Sequence, residues 1–328
     1  MSTKTLNWGL LSTARINRSV IPPLRASKRN DLLAVASRTQ ESADAYARNW
    51  KIPRAHSSYE ALLADPEIDV IYNSLPNHLH AKWTIKAMQA GKHVLCEKPL
   101  ALSVEEVDAI AAAAQKYGRV VAEAFMYRHH AQTLKVQELV SSGTLGTLKL
   151  LRGSYSYVMK REENIRDDPA MGGGSIWDVG CYPISYMRTV IGAEPLEVFG
   201  WQLTASSGID DTFVGQMRFE GDVYAQFDSS FVIPFHTFIE IIGSEATLLI
   251  PMPYKPGLNE KISLTRGDKT ETVTVMGQEL YLGEVEDMAD AILLGNAPRI
   301  SLDDDSRANI AAIKALLAAA RTGSALKL

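Results

Sequence analysis

The sequence has few of the residues that staple small folds. It carries two cysteines in 328 residues, Cys96 and Cys181, far apart and with no CxxC pair or His/Cys cluster. That excludes a disulfide framework and offers no zinc-site spacing, so both thiols read as small buried apolar groups and no metal is expected. Long hydrophobic runs are missing too. None reaches the roughly eighteen apolar residues that cross a bilayer, and the N-terminus enters a strand-like stretch without a basic and then hydrophobic leader. No membrane partner is expected, and the chain reads as soluble and cytoplasmic. A charge excess is absent: the formal net charge is −4, with basic residues scattered among acidic ones. Nothing resembles a face for polyanions, so nucleic acid is not an expected partner.

What is present is a change of hydrophobic period part-way along the chain. From Leu6 to about Val121, short apolar runs (6–11, 32–36, 70–73, 93–96, 120–122) alternate with helical segments (16–26, 41–50, 59–63, 79–90, 104–117). This alternation predicts βαβ units and a parallel sheet. Ser103 ahead of Glu105 and Glu106 marks a helix start, and Gly91 and Gly118 sit where helices end. After Glu123 most segments have period two, broken by helices near 132–141, 176–191, 284–294 and 306–322. The expected fold class is therefore α/β. An N-terminal Rossmann domain over 1–122, a doubly wound parallel sheet, precedes an α/β domain over 123–328 with a large, open, mostly antiparallel sheet.

The loop Gly9–Leu10–Leu11–Ser12–Thr13–Ala14 joins the first strand to the first helix, where a Rossmann domain aims backbone N–H groups and a helix dipole at a pyrophosphate. Of a GxGxxG fingerprint only Gly9 survives, with Leu11 and Ala14 at the other two glycine positions. Ser12 and Thr13 offer hydroxyls, and Arg15 and Ile16 open the helix. Alone, the loop reads equally as an ordinary strand–turn–helix corner. The second strand ends in Ser37–Arg38–Thr39 with no acid before Glu41. A carboxylate there would accept from the ribose hydroxyl of NAD; an arginine flanked by hydroxyls suits a 2′-phosphate. NADP(H) is the expected cofactor and NAD(H) the alternative. Arg38 also has a plain reading as a solvated surface side chain.

Glu97–Lys98–Pro99 follows a strand and so emerges at the carboxyl edge of the sheet, where an ammonium can hold a substrate oxygen. Proline there raises the question of a cis bond before Pro99. Leu75, Pro76, Asn77 and His80 follow another strand end and line the same groove, with His80 expected in a structural or ribose-contacting role. The run from Arg166 through Gly172–Gly173–Gly174 to Trp177, Asp178 and Tyr182 is the richest segment outside the first domain. A single helix from 176 would put Asp178 and Tyr182, four residues apart, on one side about one turn from each other. A free tyrosine titrates near ~10, and a nearby ammonium such as Lys98 lowers that value. Tyr182 is then the expected proton carrier and Asp178 the group that orients a substrate by its hydroxyls. The alternative for Tyr182 is a core ring with a satisfied hydroxyl.

Together the loop Gly9–Ala14, Glu97–Lys98–Pro99, Glu123–Arg128 and Gly172–Tyr182 resemble the Gfo/Idh/MocA family of oxidoreductases, in order and over essentially the whole chain. The resemblance implies a catalytic Lys98, a proton-transferring Tyr182, and Glu123 and Trp177 among the cofactor contacts. Tyrosine where many members carry histidine is similar to a subgroup of sugar and dihydrodiol dehydrogenases. Arg166 falls where relatives place a basic group near cofactor or substrate. A further implication is a homodimer or homotetramer built through the C-terminal sheet. The expected activity is NADP(H)-dependent hydride transfer to or from a sugar or polyol. A trans-dihydrodiol dehydrogenase and a non-catalytic dinucleotide sensor are the alternatives. Tyr157, Phe235 and His236 join Asp178 and Arg166 as expected substrate contacts.

Overall fold

In the computed structural model, which describes residues 4–328, the N-terminal chain lays down parallel strands β1 (Leu6–Leu10), β2 (Asn30–Ala36), β3 (Arg54–His56), β4 (Val70–Asn73), β5 (His93–Glu97) and β6 (Val121–Ala124). Their order is β3-β2-β1-β4-β5-β6. The chain winds outward from β1 to one edge, then returns and winds to the other, so the strand direction of travel reverses between β1 and β4. That reversal opens a crevice at the carboxyl ends. Strands β1 and β4 are almost wholly buried, as a sheet covered on both faces requires. β3 was not foreseen: its three half-buried residues carry no apolar alternation, and it exists by pairing with β2.

Helices α1 (Asn17–Ala26), α2 (Gln40–Trp50), α3 (Tyr59–Ala64), α4 (His80–Gln89) and α5 (Val104–Tyr117) connect these strands. The Ser103 hydroxyl accepts from Glu106 N at 3.2 Å and starts α5, and Gly118 ends it at φ 61°.

A second sheet follows: β7 (Leu148–Ser156), β8 (Glu197–Thr204), β9 (Asp210–Phe219), β10 (Val223–Ser230), β11 (His236–Gly243), β12 (Thr247–Ile250), β13 (Asn259–Arg266), β14 (Lys269–Met276) and β15 (Leu326–Lys327). Its order is β14-β13-β12-β11-β7-β10-β9-β8-β15, with β7 and β10 parallel and the other described neighbours antiparallel. Helices α6 (Ala131–Ser141) and α7 (Cys181–Ile191) accompany it. Val198, Phe213, Met217, Ala225, Phe227, Leu151, Ile239 and Ile241 are buried on the face toward α7. On the opposite face Trp201, Leu203, Val214 and Tyr224 are exposed; the register pairs Trp201 with Val214, two residues from Leu203, whereas Tyr224 pairs with Arg218 further along β9.

The chain separates into two compact units, but not at one cut. The first runs to Met126 and also takes in Tyr281–Arg307; the second is Tyr127–Leu280 with Ala308–Leu328. The single division expected near residue 122 misses this return. Its cause is helix α8 (Leu282–Leu294), which packs on α1 while Arg29 pairs with Glu286 and with Asp290 at 2.5 Å. Arg307 then meets Asp108 of α5 at 2.7 Å, before helix α9 (Ala308–Thr322) joins the second unit against β8.

Candidate active site

In the first unit, the turn after β1 is held by a buried polar net. Leu11 is fully buried and its amide donates to Tyr72 O at 3.0 Å. Ser12 Oγ accepts from Ala14 N at 3.1 Å and lies 2.8 Å from Ser74 Oγ, which donates to Asn17 Oδ1 at 2.7 Å. Asn17 Nδ2 closes the net on Ser12 O at 2.6 Å. These bonds tie the β1 turn to the β4 turn across the crevice. Leu11 is thus scaffold, its amide already engaged, contrary to the ligand contact expected of it, and the Ser12 hydroxyl is committed to the same net. Thr13, Ala14, Arg15 and Ile16 are partly or fully exposed, and no side chain caps the first turn of α1. Asn17 N and Ser19 N donate to Ala14 O and Ile16 O, so the pyrophosphate of a dinucleotide would draw on the other amides of this turn. Gly9 serves a different need: a Cβ there would lie 2.9 Å from Leu62 Cδ1 of α3.

At the end of β2, Ser37 is buried and its amide donates to His56 O at 3.1 Å. Arg38 is exposed, and its charge reaches the Tyr59 phenol, opposing the upward push that burial gives that group. Thr39 Oγ1 caps α2 through Ser42 N at 3.3 Å.

Leu75, Pro76 and Asn77 form the turn after β4, with Leu75 buried and the other two partly exposed. His80 is fully buried with Nδ1 2.7 Å from Pro99 O and Nε2 2.7 Å from Leu75 O. Burial, working against both carbonyls, brings its pKa down to about 4. Both ring nitrogens are thus committed to the backbone, and His80 ties two strand-end turns together instead of reaching a ribose. The Lys98–Pro99 peptide is cis. Tyr72 Oη donates to Glu97, whose Oε2 accepts from Lys98 N at 3.3 Å. Buried Glu123 takes Leu100 N at 2.9 Å. Glu97 and Glu123 therefore brace the turn that presents Lys98, which is partly exposed.

In the second unit, Tyr157 Oη donates to Asp178 Oδ2 at 2.8 Å and Arg166 Nε lies 2.9 Å from the same oxygen. Three of the expected substrate residues are thus one group, with an exposed Arg166 over a carboxylate whose side chain is 13% exposed. Phe235 and His236 stand exposed at the head of β11, where the His236 ring lies 5.3 Å from Phe238. The segment 176–191 is not one α-helix. It opens with a wider π-turn, Ile176–Gly180, and becomes α only at Cys181, with Pro183 in the first turn where its missing N–H is harmless. Asp178 and Tyr182 hence belong to different helical geometries, and the same-face argument does not carry over unchanged. Trp177 is buried. So is Tyr182, its ring 5.4 Å from Tyr155, 5.6 Å from Tyr254 and 6.0 Å from Tyr127. Burial pushes the Tyr155, Tyr157, Tyr186 and Tyr254 phenols up, so these neighbours stay protonated.

Two residues of this neighbourhood escaped the sequence reading. Asp210 is buried and accepts from Ser175 Oγ at 2.7 Å and from Ile176 N at 2.8 Å. Asp211 meets Arg161 at 2.5 Å. The available signal was a pair of adjacent acids at the head of a strand. Among the described residues no group of three or more His, Cys, Asp or Glu is placed to hold a metal, and no helix is long and apolar enough to cross a membrane.

Residues 6–125 match the oxidoreductase family with an NAD-binding Rossmann fold, and residues 133–249 match the GFO/IDH/MocA C-terminal domain. The chain belongs to the Gfo/Idh/MocA oxidoreductase family. Among relatives within Gfo/Idh/MocA, it is 35% identical over 326 residues to D-xylose 1-dehydrogenase (NADP(+)) 2 of Haloferax volcanii, covering 98% of this chain and 99% of that one. It is 32% identical over 257 residues to trans-1,2-dihydrobenzene-1,2-diol dehydrogenase of Xenopus laevis, covering 76% of each. A 3-ketoreductase from Actinomadura kijaniata, solved with NADP and TDP-benzene, is 26% identical with a TM-score of 0.90, over 98% of each chain. The doubly wound sheet and the mostly antiparallel second sheet agree with that membership.

Proposed function

We propose that this oxidoreductase uses NADP(H) to move hydride to or from a sugar, as an aldose dehydrogenase or ketosugar reductase of the cytoplasm. The observation that carries this reading is the Asp178 carboxylate, held by Tyr157 and Arg166 shortly before the Tyr182 phenol. A largely buried carboxylate, 13% exposed and braced by a phenol and a guanidinium, suits a substrate rich in hydroxyls. The nicotinamide, when bound, supplies or accepts the hydride. Tyr182 gives or takes the proton on the substrate oxygen, and the Lys98 ammonium steadies that oxygen and favours phenolate. Asp178 orients the neighbouring hydroxyls, with Tyr157, Arg166, Phe235 and His236 shaping the sugar's surroundings. Arg38, with Ser37 and Thr39 beside it, receives the 2′-phosphate. The turn leading into α1 receives the pyrophosphate, and Leu75–Asn77, Glu97, Glu123 and Trp177 complete the cofactor's surroundings. The NADP-dependent xylose dehydrogenase and the NADP-bound ketoreductase among the relatives support both cofactor and substrate class.

A second reading, oxidation of a trans-diol, is favoured by the likeness to the dihydrodiol dehydrogenase. One assay separates them: NADPH and NADP absorbance followed against a panel of aldoses, ketosugars and diols. Turnover of aldoses or ketosugars is expected; turnover of diols alone selects the second reading, and no turnover with either cofactor leaves a dinucleotide sensor.

The exposed Trp201 and Leu203 of β8, with Val214 beside Trp201 on β9, support a homodimer or homotetramer through the open sheet face, since monomers rarely leave a large apolar patch uncovered. Sedimentation of the wild type as a monomer at micromolar concentration overturns this assembly.

A further inference from the structure

Asp210 and Asp211 open β9, and each reaches a different part of the Asp178 neighbourhood. Asp210 is 5% exposed. One of its oxygens receives both Ser175 Oγ and Ile176 N, the first amide of the turn that carries Asp178. The carboxylate stands where a Cβ on Gly174 would be, 2.1 Å from Oδ1, and Gly174 has φ +120°. Glycine at 174 is what lets this acid reach the start of the turn. Ser175 itself makes no local cap to the turn, so the capping acceptor comes from a strand far away in sequence. Ser229 Oγ, 3.0 Å from Ser175 Oγ, completes the site.

Asp211 works on the other side. Its Oδ1 meets Arg161 at 2.5 Å, and Arg161 also meets Asp167 at 2.7 Å, next to Arg166. Ser207 Oγ donates to the same Asp167 oxygen at 2.9 Å. The two sides are joined by backbone: Gly174 N donates to Arg166 O at 3.1 Å and Gly173 N to Asp168 O at 3.0 Å.

We propose that Asp210 and Asp211 are a paired anchor that sets the Arg166–Asp178 contact, one fixing the turn that presents Asp178 and the other, through Arg161 and Asp167, the loop that presents Arg166. They are positioning residues, and their link to turnover rests on the reading of Asp178 and Arg166 as substrate contacts. Displacing a substrate-orienting group by about 1 Å costs about 100-fold in rate.

Hydrogen exchange by mass spectrometry on the full chain tests the anchor without any substrate. In Asp210→Ala, peptides covering 175–182 are expected to exchange about tenfold faster, as loss of a cap implies. Asp210→Asn keeps the acceptor oxygen and is expected to restore wild-type protection. Asp211→Ala is expected to loosen 161–172 instead. Unchanged exchange in either alanine variant, or failure of the asparagine to rescue, overturns the anchor. Should Asp210→Ala not fold, Ser175→Ala, which removes one of the two bonds to the Asp210 oxygen and leaves that from Ile176 N, reports on the same turn. Kinetics with D-xylose and NADP then judge the reading beneath it. The KM for xylose is expected to rise in the alanine variants while the dissociation constant for NADPH, from its fluorescence, stays put. Altered exchange with unaltered xylose kinetics leaves the anchor standing and overturns the substrate role of Asp178 and Arg166.

Discussion

Arg166 Nε lies 2.9 Å from Asp178 Oδ2, the oxygen that Tyr157 also engages. The carboxylate is therefore pinned at that oxygen, in a side chain 13% exposed. Asp178→Asn keeps the shape but removes the charge that both partners share. A charge-assisted bond is worth about 1.5–3 kcal/mol, so kcat/KM for the sugar is expected to fall roughly 10- to 100-fold. NADPH affinity, read by fluorescence titration, should not follow. Equal losses of both would remove Asp178 from the substrate side.

Tyr182→Phe keeps the ring against Tyr155 and Tyr254 and removes only the hydroxyl. The expected result is a kcat lower by about 10²–10⁴, the range of a lost acid–base group, with melting temperature and NADPH binding close to wild type. The neighbouring phenols cannot take over, because burial pushes them up. Wild-type turnover across pH in this variant would sink Tyr182 as the proton carrier.

Arg38→Ala should weaken NADPH by about 10- to 100-fold, the worth of a charged hydrogen bond to phosphate. NADH, which lacks the 2′-phosphate, should lose little. Isothermal titration with both cofactors checks this, and matching losses would reject the preference for NADP.

Asp210 gives a stability prediction with a definite sign. Burial pushes its carboxyl up to about 6, above the ~3.9 of a free aspartate. Between about pH 4 and pH 6 the folded chain holds a proton that the unfolded chain has released. Ionisation of this group therefore removes stability as pH rises through that window, by about 3 kcal/mol in all. Asp210→Asn cannot ionise, so its stability relative to wild type is expected to grow from pH 4 to pH 7. Urea denaturation at several pH values measures it; a constant difference would mean that Asp210 titrates normally.

Much of the architecture was legible because it rests on period. The parallel strands β1, β2, β4, β5 and β6 are short apolar runs between helices, and Ser103 and Gly118 bound α5 as their chemistry dictates. What escaped depends on partners distant in sequence. β3 is strand only because β2 lies beside it, and the return of α8 follows from Arg29 meeting Glu286 and Asp290. Among the candidate residues, Lys98 stood out because a strand end announces it, and Asp178 and Tyr182 because the glycine run precedes them. The commitment of both His80 nitrogens, of the Leu11 amide and of the Asp210 carboxylate involved backbone groups that no residue spacing reveals.

The return of Tyr281–Arg307 to the first unit has a consequence for how the chain is made. When Met126 leaves the ribosome every strand of the Rossmann sheet has been synthesised, yet Arg29 still awaits its partners on α8. At about 5–20 residues per second, the intervening stretch Tyr127–Leu280 takes roughly 8–30 s. For that interval the α1 surface that α8 will cover is a nascent face open to chaperones and proteases. A fragment ending at residue 126 would keep it open permanently.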